Sequence, residues 1–308
     1  MSLKGCQRPR LQSLPPADDD RDGRDAVALA AHAGLVLDDW QQYVLRKALA
    51  TRGSRWAAFE VCLILARQNG KGSCLEALEL AALFLFGAEL ILHSAHKFDT
   101  SADAFRRILA LIERNPDFDR EVAKVIRSHG SESIELKTGQ RLRFVARSSG
   151  SGRGFAADLV ILDEAFNISD DAMASMLPTL STRPNPQVWY TSTAGDQDSV
   201  HLARVRDRGL AGGDPSLAFF EWSADPHDPA CGAGCTEHDD PADEAVWAKA
   251  NPGLGYRLTA EHITRERATL SPEAFARERL SIGDYPVAGA GEWSVVSKDA
   301  WDACSSAG

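Results

Sequence analysis

With 308 residues, 44% of them hydrophobic and 25% charged, the chain has ordinary globular composition and enough apolar material for one large or two modest domains. A net charge of −10 and a pI of about 5.3 argue against a protein that coats nucleic acid, so any DNA contact has to be made by a local patch. The apolar run from Ala77 to Ala88 is broken by Glu79 and is too short to span a bilayer. The polar start MSLKGCQRPR has no signal-peptide pattern; a cytosolic protein with no membrane segment is the expectation.

Residues 1–34 are rich in Pro, Asp and Ala and read as an N-terminal tail with a short helix over Asp25 to Ala33. Asp38 or Asp39 then caps a helix whose apolar face carries Trp40, Val44 and Leu45. Trp40 reads first as core packing. Gln41 offers a donor and an acceptor in one side chain, which suits an adenine edge.

Val61 to Leu65 is a short β-branched run of the length of a buried strand. A polar turn, Arg67-Gln68-Asn69-Gly70-Lys71, follows it, and Leu75, Leu78, Glu79 and Ala82 continue at helical spacing. Strand, turn with Gly-Lys, then helix is the layout of a phosphate-binding loop: backbone N–H groups cradle phosphate oxygens, glycine allows close approach, and Lys71 adds a positive charge. The match is imperfect. Leu65 stands where the first glycine is expected, and Gly72 replaces the metal-binding Ser/Thr, with Ser73 one place late. Alone, the stretch is equally a plain strand–helix turn.

Further along, Leu90 to Ala95 reads as a second buried strand and Asp99 to Arg114 as a helix through Ala104, Ile108, Leu111 and Ile112. Ser133 to Leu136 and Arg141 to Val145 alternate around a Gly-containing turn and predict a β-hairpin. The glycine-broken segment Arg147 to Gly154 is a mobile loop by composition. Asp158 to Ala165 is a strand that runs straight into Asp163-Glu164, about 90 residues after Gly-Lys. At the carboxyl end of a parallel strand an Asp can hold Mg²⁺ and a following Glu can polarise water. Gln187 to Thr193 is a third strand closing on Ala194-Gly195; Thr191, Ser192 and Thr193 either sense a γ-phosphate through their hydroxyls or simply end a strand.

The order strand–loop–helix, repeated, predicts a mainly parallel α/β sheet with helices on both faces. From Leu217 to Trp222 the chain is expected to leave this core. It then enters an acidic stretch, Asp225 to Glu244, with seven carboxylates and no Lys or Arg. Within it, Cys231-x3-Cys235-x2-His238, with His227 or Asp239 as a fourth ligand, is either a structural metal site or, the better reading from spacing alone, part of a flexible acidic loop. Helical segments over Ala242 to Ala250, Thr259 to Leu270 and Pro272 to Ile282 predict a small helical subdomain, with Asn251-Pro252-Gly253 as a break. Gly283 to Gly291 reads as a linker.

Taken in order, Asp39-Trp40-Gln41, Ala66 to Gly72, Ser151-Gly152-Arg153-Gly154-Phe155, Leu159 to Ala165, Thr191 to Gly195, Trp247 to Pro252 and Phe275 to Leu280 resemble the N-terminal ATPase domain of a tailed-phage terminase large subunit, a DNA-packaging motor. The resemblance spans about residues 35 to 285. It implies a P-loop NTPase fold of the additional-strand (ASCE) type with a small helical lid: an N-terminal tail over 1–34, an ATPase core over 35–218, a lid over 219–282 and a linker over 283–308.

It also implies site residues. Gln41 would read adenine with Trp40 beside it; Gln68, Asn69, Gly70, Lys71, Gly72 and Ser73 would bind the phosphates of ATP; Asp163 and Ser73 would hold Mg²⁺. Glu164 would be the catalytic base. Arg67 would contact the γ-phosphate or couple to the lid, and Arg153 would reach a neighbouring subunit as an arginine finger. Thr191, Ser192 and Thr193 would form the coupling motif. The implied partners are double-stranded DNA, the portal protein, the small terminase subunit and further copies in a ring on the portal, with the isolated domain a monomer. The implied location is the host cytoplasm, transiently on the procapsid. The family's nuclease domain has no counterpart in these residues, as expected of a fragment or a split subunit. The alternative activity is a nucleotide-gated assembly module with little hydrolysis of its own.

Overall fold

The computed structural model describes residues 3–96, 98–128, 130, 132–147, 156–226, 231, 235–286, 301 and 304. In chain order these form β1 (Leu11–Ser13), α1 (Arg21–His32), α2 (Asp39–Ala48), β2 (Thr51–Arg52), β3 (Arg55–Trp56), β4 (Glu60–Ile64), α3 (Lys71–Phe84) and β5 (Leu90–Ala95). Next come α4 (Phe98–Arg114), α5 (Pro116–Asp119), β6 (Val122–Ile126), β7 (Ser133–Leu136), β8 (Arg141–Ala146), β9 (Leu159–Asp163) and α6 (Asp170–Met176). The last are β10 (Gln187–Ser192), α7 (Val200–Ala211), β11 (Leu217–Glu221), α8 (Glu244–Ala250), α9 (Ala260–Thr269) and α10 (Pro272–Leu280).

Among the described residues, nine strands form one sheet in the order β1-β11-β4-β10-β9-β5-β8-β7-β6. The pairings from β11 through β8 are parallel, and the edge pairings β1–β11, β7–β8 and β6–β7 are antiparallel. Strand β10 sits between β4 and β9, which is the additional strand of the ASCE arrangement. Strands β4, β5, β10 and β11 are buried along their whole length because both faces are covered. On β4, Val61 and Leu63 face one core with Trp40, Leu75 and Phe105, while Cys62 and Ile64 face the other with Met173 and Leu202. A third apolar cluster, built on Trp247, Ile263, Phe275 and Leu280, holds α8, α9 and α10 together as a small helical subdomain.

Two expected boundaries move. Residues 1–34 are not a tail: β1 pairs with β11, and α1, which begins at Arg21 rather than Asp25, buries Ala26 and Ala30 in the main core. Three residues of edge strand carry no periodicity that sequence reading can detect. Nor does the core end at 218: β11 lies beside β4 and continues to Glu221, so the chain leaves the sheet later than expected. Strand β6, also unforeseen, extends the hairpin to three strands. Of the 283–308 segment, residues 287–300, 302–303 and 305–308 lie outside the description, as does most of the glycine-broken loop at 148–155. No helix among the described residues is long and apolar enough to cross a membrane.

One buried pair ties α3, the helix after the phosphate loop, to the sheet. Glu79 Oε1 lies 2.5 Å from His93 Nδ1 on β5, both almost fully buried. Burial works against charging the imidazole, yet the Glu79 carboxylate keeps its pKa above the ordinary histidine value. Removing one member of a buried pair typically costs about 3–5 kcal/mol, whereas apolar replacement of both can be neutral. Glu79→Ala should therefore lower the urea midpoint far more than the double change Glu79→Leu with His93→Phe.

Candidate functional site

The carboxyl ends of β4, β10 and β9 stand side by side because β10 pairs in parallel with both neighbours. In an open parallel sheet this edge is where ligands bind. The chain turns from β4 into α3 there, with Gln68 at φ 61° and Gly70 at φ 99°. A Cβ on Gly70 would stand 2.9 Å from Gln41 Nε2, so glycine is required for both conformation and space. The start of α3 then offers its unpaired N–H groups to any anion placed before it.

A cavity of about 460 Å³ opens at this edge. Of the residues singled out from sequence, Arg67, Gln68, Gly70, Lys71, Gly72, Ser73, Asp163, Glu164, Ser192 and Thr193 line it. Lys71 Nζ is folded back onto the loop, donating to the carbonyls of Leu65 (2.8 Å) and Ala66 (3.2 Å). Burial pulls its pKa down to about 8, against the opposing charge of Asp163. Asp163 Oδ1 accepts from Thr191 Oγ1 at 2.7 Å and from the Glu164 N–H at 3.0 Å. Thr191 reaches it because the register sets the two residues opposite each other on β10 and β9.

Glu164 has φ 54°, a left-handed conformation that costs a non-glycine residue about 1–3 kcal/mol and persists only when its surroundings impose it. Arg147 imposes it, donating to the carbonyls of Asp163 (2.6 Å), Ser94 (3.2 Å) and Glu164 (3.3 Å). Burial lowers the Arg147 pKa to about 10, while Asp163 and Glu164 oppose that shift. Thr100 Oγ1 lies 3.5 Å from Glu164 Oε1.

Three site residues were not legible in the sequence: Glu76, Thr100 and Arg107 all line the cavity. Arg107, from α4, pairs through Nε with Glu76 Oε1 at 2.6 Å. A Cβ on Gly72 would stand 2.9 Å from Arg107 Nη2. The glycine that departs from the usual loop pattern thus leaves space for a guanidinium beside the turn, although that half-exposed side-chain end could shift for a larger residue. The oxygen donors around the cavity, Asp163, Ser73 and the partnerless buried hydroxyl of Ser192, suit Mg²⁺, which takes few protein ligands and keeps several waters.

Other expected residues point elsewhere. Trp40 is fully buried, edge-on to Trp222 with ring centroids 5.4 Å apart, and presents no face to a ligand. Gln41 is buried behind the loop: Oε1 accepts the Asp38 N–H at 2.7 Å and Nε2 donates to Gly70 O at 2.7 Å. It braces the loop in this conformation. Arg153 lies outside the described residues.

Asn69 turns away from the cavity and into the helical subdomain. Its Nδ2 lies 3.0 Å from Asn251 Oδ1, and its Oδ1 accepts the Gly253 N–H at 2.9 Å. Asn251 Nδ2 donates to Arg279 O at 2.7 Å, and Arg279 Nη1 donates to Arg67 O at 2.9 Å. Arg67 itself pairs with Glu278 at 2.9 Å. The segment Asn251-Pro252-Gly253, which reads as a helix break, is thus the seat of the turn that carries Asn69. A smaller cavity of about 320 Å³, lined by Glu89, Asp158 and Gln187 among others, opens at the opposite, amino-terminal edge of the strands, away from these groups.

The fold is that of a P-loop NTPase of the additional-strand class, and among solved structures it is the fold of large-terminase ATPase domains. The chain superposes on the large terminase of bacteriophage HK97 with a TM-score of 0.71 at 21% identity, covering 85% of this chain and 55% of that one. It superposes on the large terminase ATPase domain of Thermus phage P74-26 with a TM-score of 0.59 at 18% identity, covering 82% and 96%. The chain spans just over half the length of the HK97 protein. No family model and no curated protein matches it.

The Asn69–Asn251 pair predicts a stability effect. Asn251→Ala strands buried polar groups on both sides, at about 1–3 kcal/mol. Hydrogen exchange should quicken at residues 66–70 and in the helical subdomain together, while β5 and β9 keep their protection.

Proposed function

We propose that this chain is the ATPase part of a phage DNA-packaging terminase, hydrolysing ATP to ADP and phosphate. The observation that carries the reading is one cavity in which Lys71, Asp163, Glu164 and Arg107 meet at the carboxyl edge of an additional-strand sheet. Lys71 would leave the Leu65 and Ala66 carbonyls for the β- and γ-phosphate oxygens. Glu164, held in place by Arg147, would take the proton of the attacking water, with Thr100 steadying the carboxylate. Bound Mg²⁺, held by Asp163 and Ser73, would supply charge neutralisation on the phosphate oxygens. Arg107 would add a second cation from the same chain, and Arg153 a third from a neighbouring copy in a ring.

Coupling to movement would run through the phosphate loop. A change at the γ-phosphate reaches Arg67, and through Glu278, Asn251 and Arg279 it reaches the helical subdomain. Thr191, tied to Asp163, and the cavity-lining Ser192 and Thr193 would report metal and phosphate state to the sheet. Double-stranded DNA, a portal and a small terminase subunit are the partners that belong to this reading. With a net charge of −10, DNA contact would be confined to a local basic patch. One observation favours a second reading, a nucleotide-gated module with little turnover: the missing hydroxyl at Gly72.

Steady-state phosphate release, measured with double-stranded DNA at high protein concentration, separates the two. Loss of a positioned general base costs about 10²–10⁴-fold, so Glu164→Gln should fall by that much, and Lys71→Ala should fall with it. Equal rates in wild type and both variants would refute hydrolysis here, and binding without turnover would favour the second reading. Arg107→Ala removes a charge-assisted contact worth about 1.5–3 kcal/mol and should lower kcat/KM by roughly 10–100-fold.

The depressed Lys71 pKa has a thermodynamic signature. Free Lys71 loses its proton as pH rises through about 8. Phosphate binding favours the charged form and raises that pKa. Above pH 8, nucleotide binding should therefore take up protons, giving a heat of binding that depends on buffer ionisation. Lys71→Met should abolish the buffer dependence.

A further inference from the structure

The connection from β11 to α8 brings together two thiols and an imidazole, none of which lines the cavity described above. Cys231 Sγ lies 3.1 Å and Cys235 Sγ 3.3 Å from the same atom, His238 Nδ1. All three ligand atoms fall within 4.8 Å of one another. An imidazole nitrogen carries either one proton or one lone pair, so it cannot bond two sulfurs along its axis at once. A tetrahedral ion resolves the conflict. With Zn–S of about 2.3 Å and Zn–N of about 2.0–2.1 Å, ligand atoms around zinc stand roughly 3.5 Å apart, close to the separations here.

We propose that Cys231, Cys235 and His238 form a zinc site that staples this connection. Two thiolates and an imidazole select zinc over Mg²⁺, which takes oxygen donors. Loading is balanced by release of the two thiol protons. Asp239 stands outside this group of three, and its Oδ2 is turned to the Asp225 N–H and to Lys249 Nζ, each at 2.6 Å. A water serves as the fourth ligand.

The surroundings fit a bound cation. Seven carboxylates and no Lys or Arg lie between Asp225 and Glu244, a field that attracts a cation to the cysteines, although exchanging two thiol protons for Zn²⁺ leaves the local charge unchanged. The base of the connection is already closed. Asp239 N donates to Asp225 O at 3.0 Å, Lys249 on α8 holds Asp239, and Trp247 Nε1 donates to Pro241 O at 2.9 Å. A metal at the cysteines adds a rigid tip to a segment rich in Asp, Pro and Gly. It thereby sets how the strand beside the phosphate loop meets the helical subdomain.

The test is elemental analysis of the full chain, purified reduced and without a metal-affinity step, alongside Cys231→Ser with Cys235→Ser. About one zinc per chain is expected in the wild type and at least a tenfold drop in the double variant. Co²⁺ added to the metal-stripped wild type should give thiolate charge-transfer and strong tetrahedral visible bands, saturating at one equivalent. Equal zinc in both proteins, or a Cys231–Cys235 disulfide under the same reducing conditions, would overturn the site. If the double variant does not fold, the wild-type Co²⁺ titration decides alone: no thiolate band at one equivalent rules the site out.

Discussion

A buried amide, that of Asn69, holds the molecule's two parts in one frame. It accepts the Gly253 N–H, donates within its own turn to Ala66 O and faces Asn251 Oδ1. Buried amides without partners are costly, and networks that satisfy every member specify one arrangement. The Arg67–Lys71 turn is therefore anchored to the helical subdomain. Gln41 braces it from α2, and Arg257 adds a bond to the Asn69 carbonyl and an ion pair with Asp38.

On the cavity side the governing term is charge in a poorly hydrated place. Lys71 is desolvated and leans on carbonyls, and Asp163 is held by a hydroxyl and a backbone N–H. Arg147 spends both terminal nitrogens on backbone carbonyls, so it positions the carboxylates without occupying the cavity itself. Arg107, restrained by Glu76, and Arg67, restrained by Glu278, are both about half exposed and are cations with room to move. Pre-placed charges of this kind are suited to an anionic ligand whose charge shifts during reaction.

Much of this was legible along the chain. Val61 to Leu65, Leu90 to Ala95 and Leu159 to Asp163 announce strands because a sheet covered on both faces needs unbroken apolar runs. Gly70-Lys71 and Asp163-Glu164 stand at strand ends, and the parallel pairing brings both to one edge. Less was legible wherever a side chain's partner lies far away in sequence. Gln41 reads as a ligand contact from its chemistry, yet both ends of its amide are engaged by Asp38 and Gly70. Gly72 reads as a defect in the loop pattern, and the side chain that occupies the space beside it, Arg107, comes from another helix.

The sequence by itself determined the local units: apolar runs, capping residues, a glycine where φ must be positive, and acidic or cationic groups at the ends of strands. Those follow from backbone sterics and burial within a dozen residues, so the pattern is written consecutively. Tertiary structure alone decided that β10 lies between β4 and β9, that β1 and β11 belong to the sheet, and that Arg107 faces Gly72. It also decided that Asn69 meets Asn251, 182 positions away. Such contacts depend on which strands pair and which face each helix presents, and no periodicity in the chain encodes a partner at that distance.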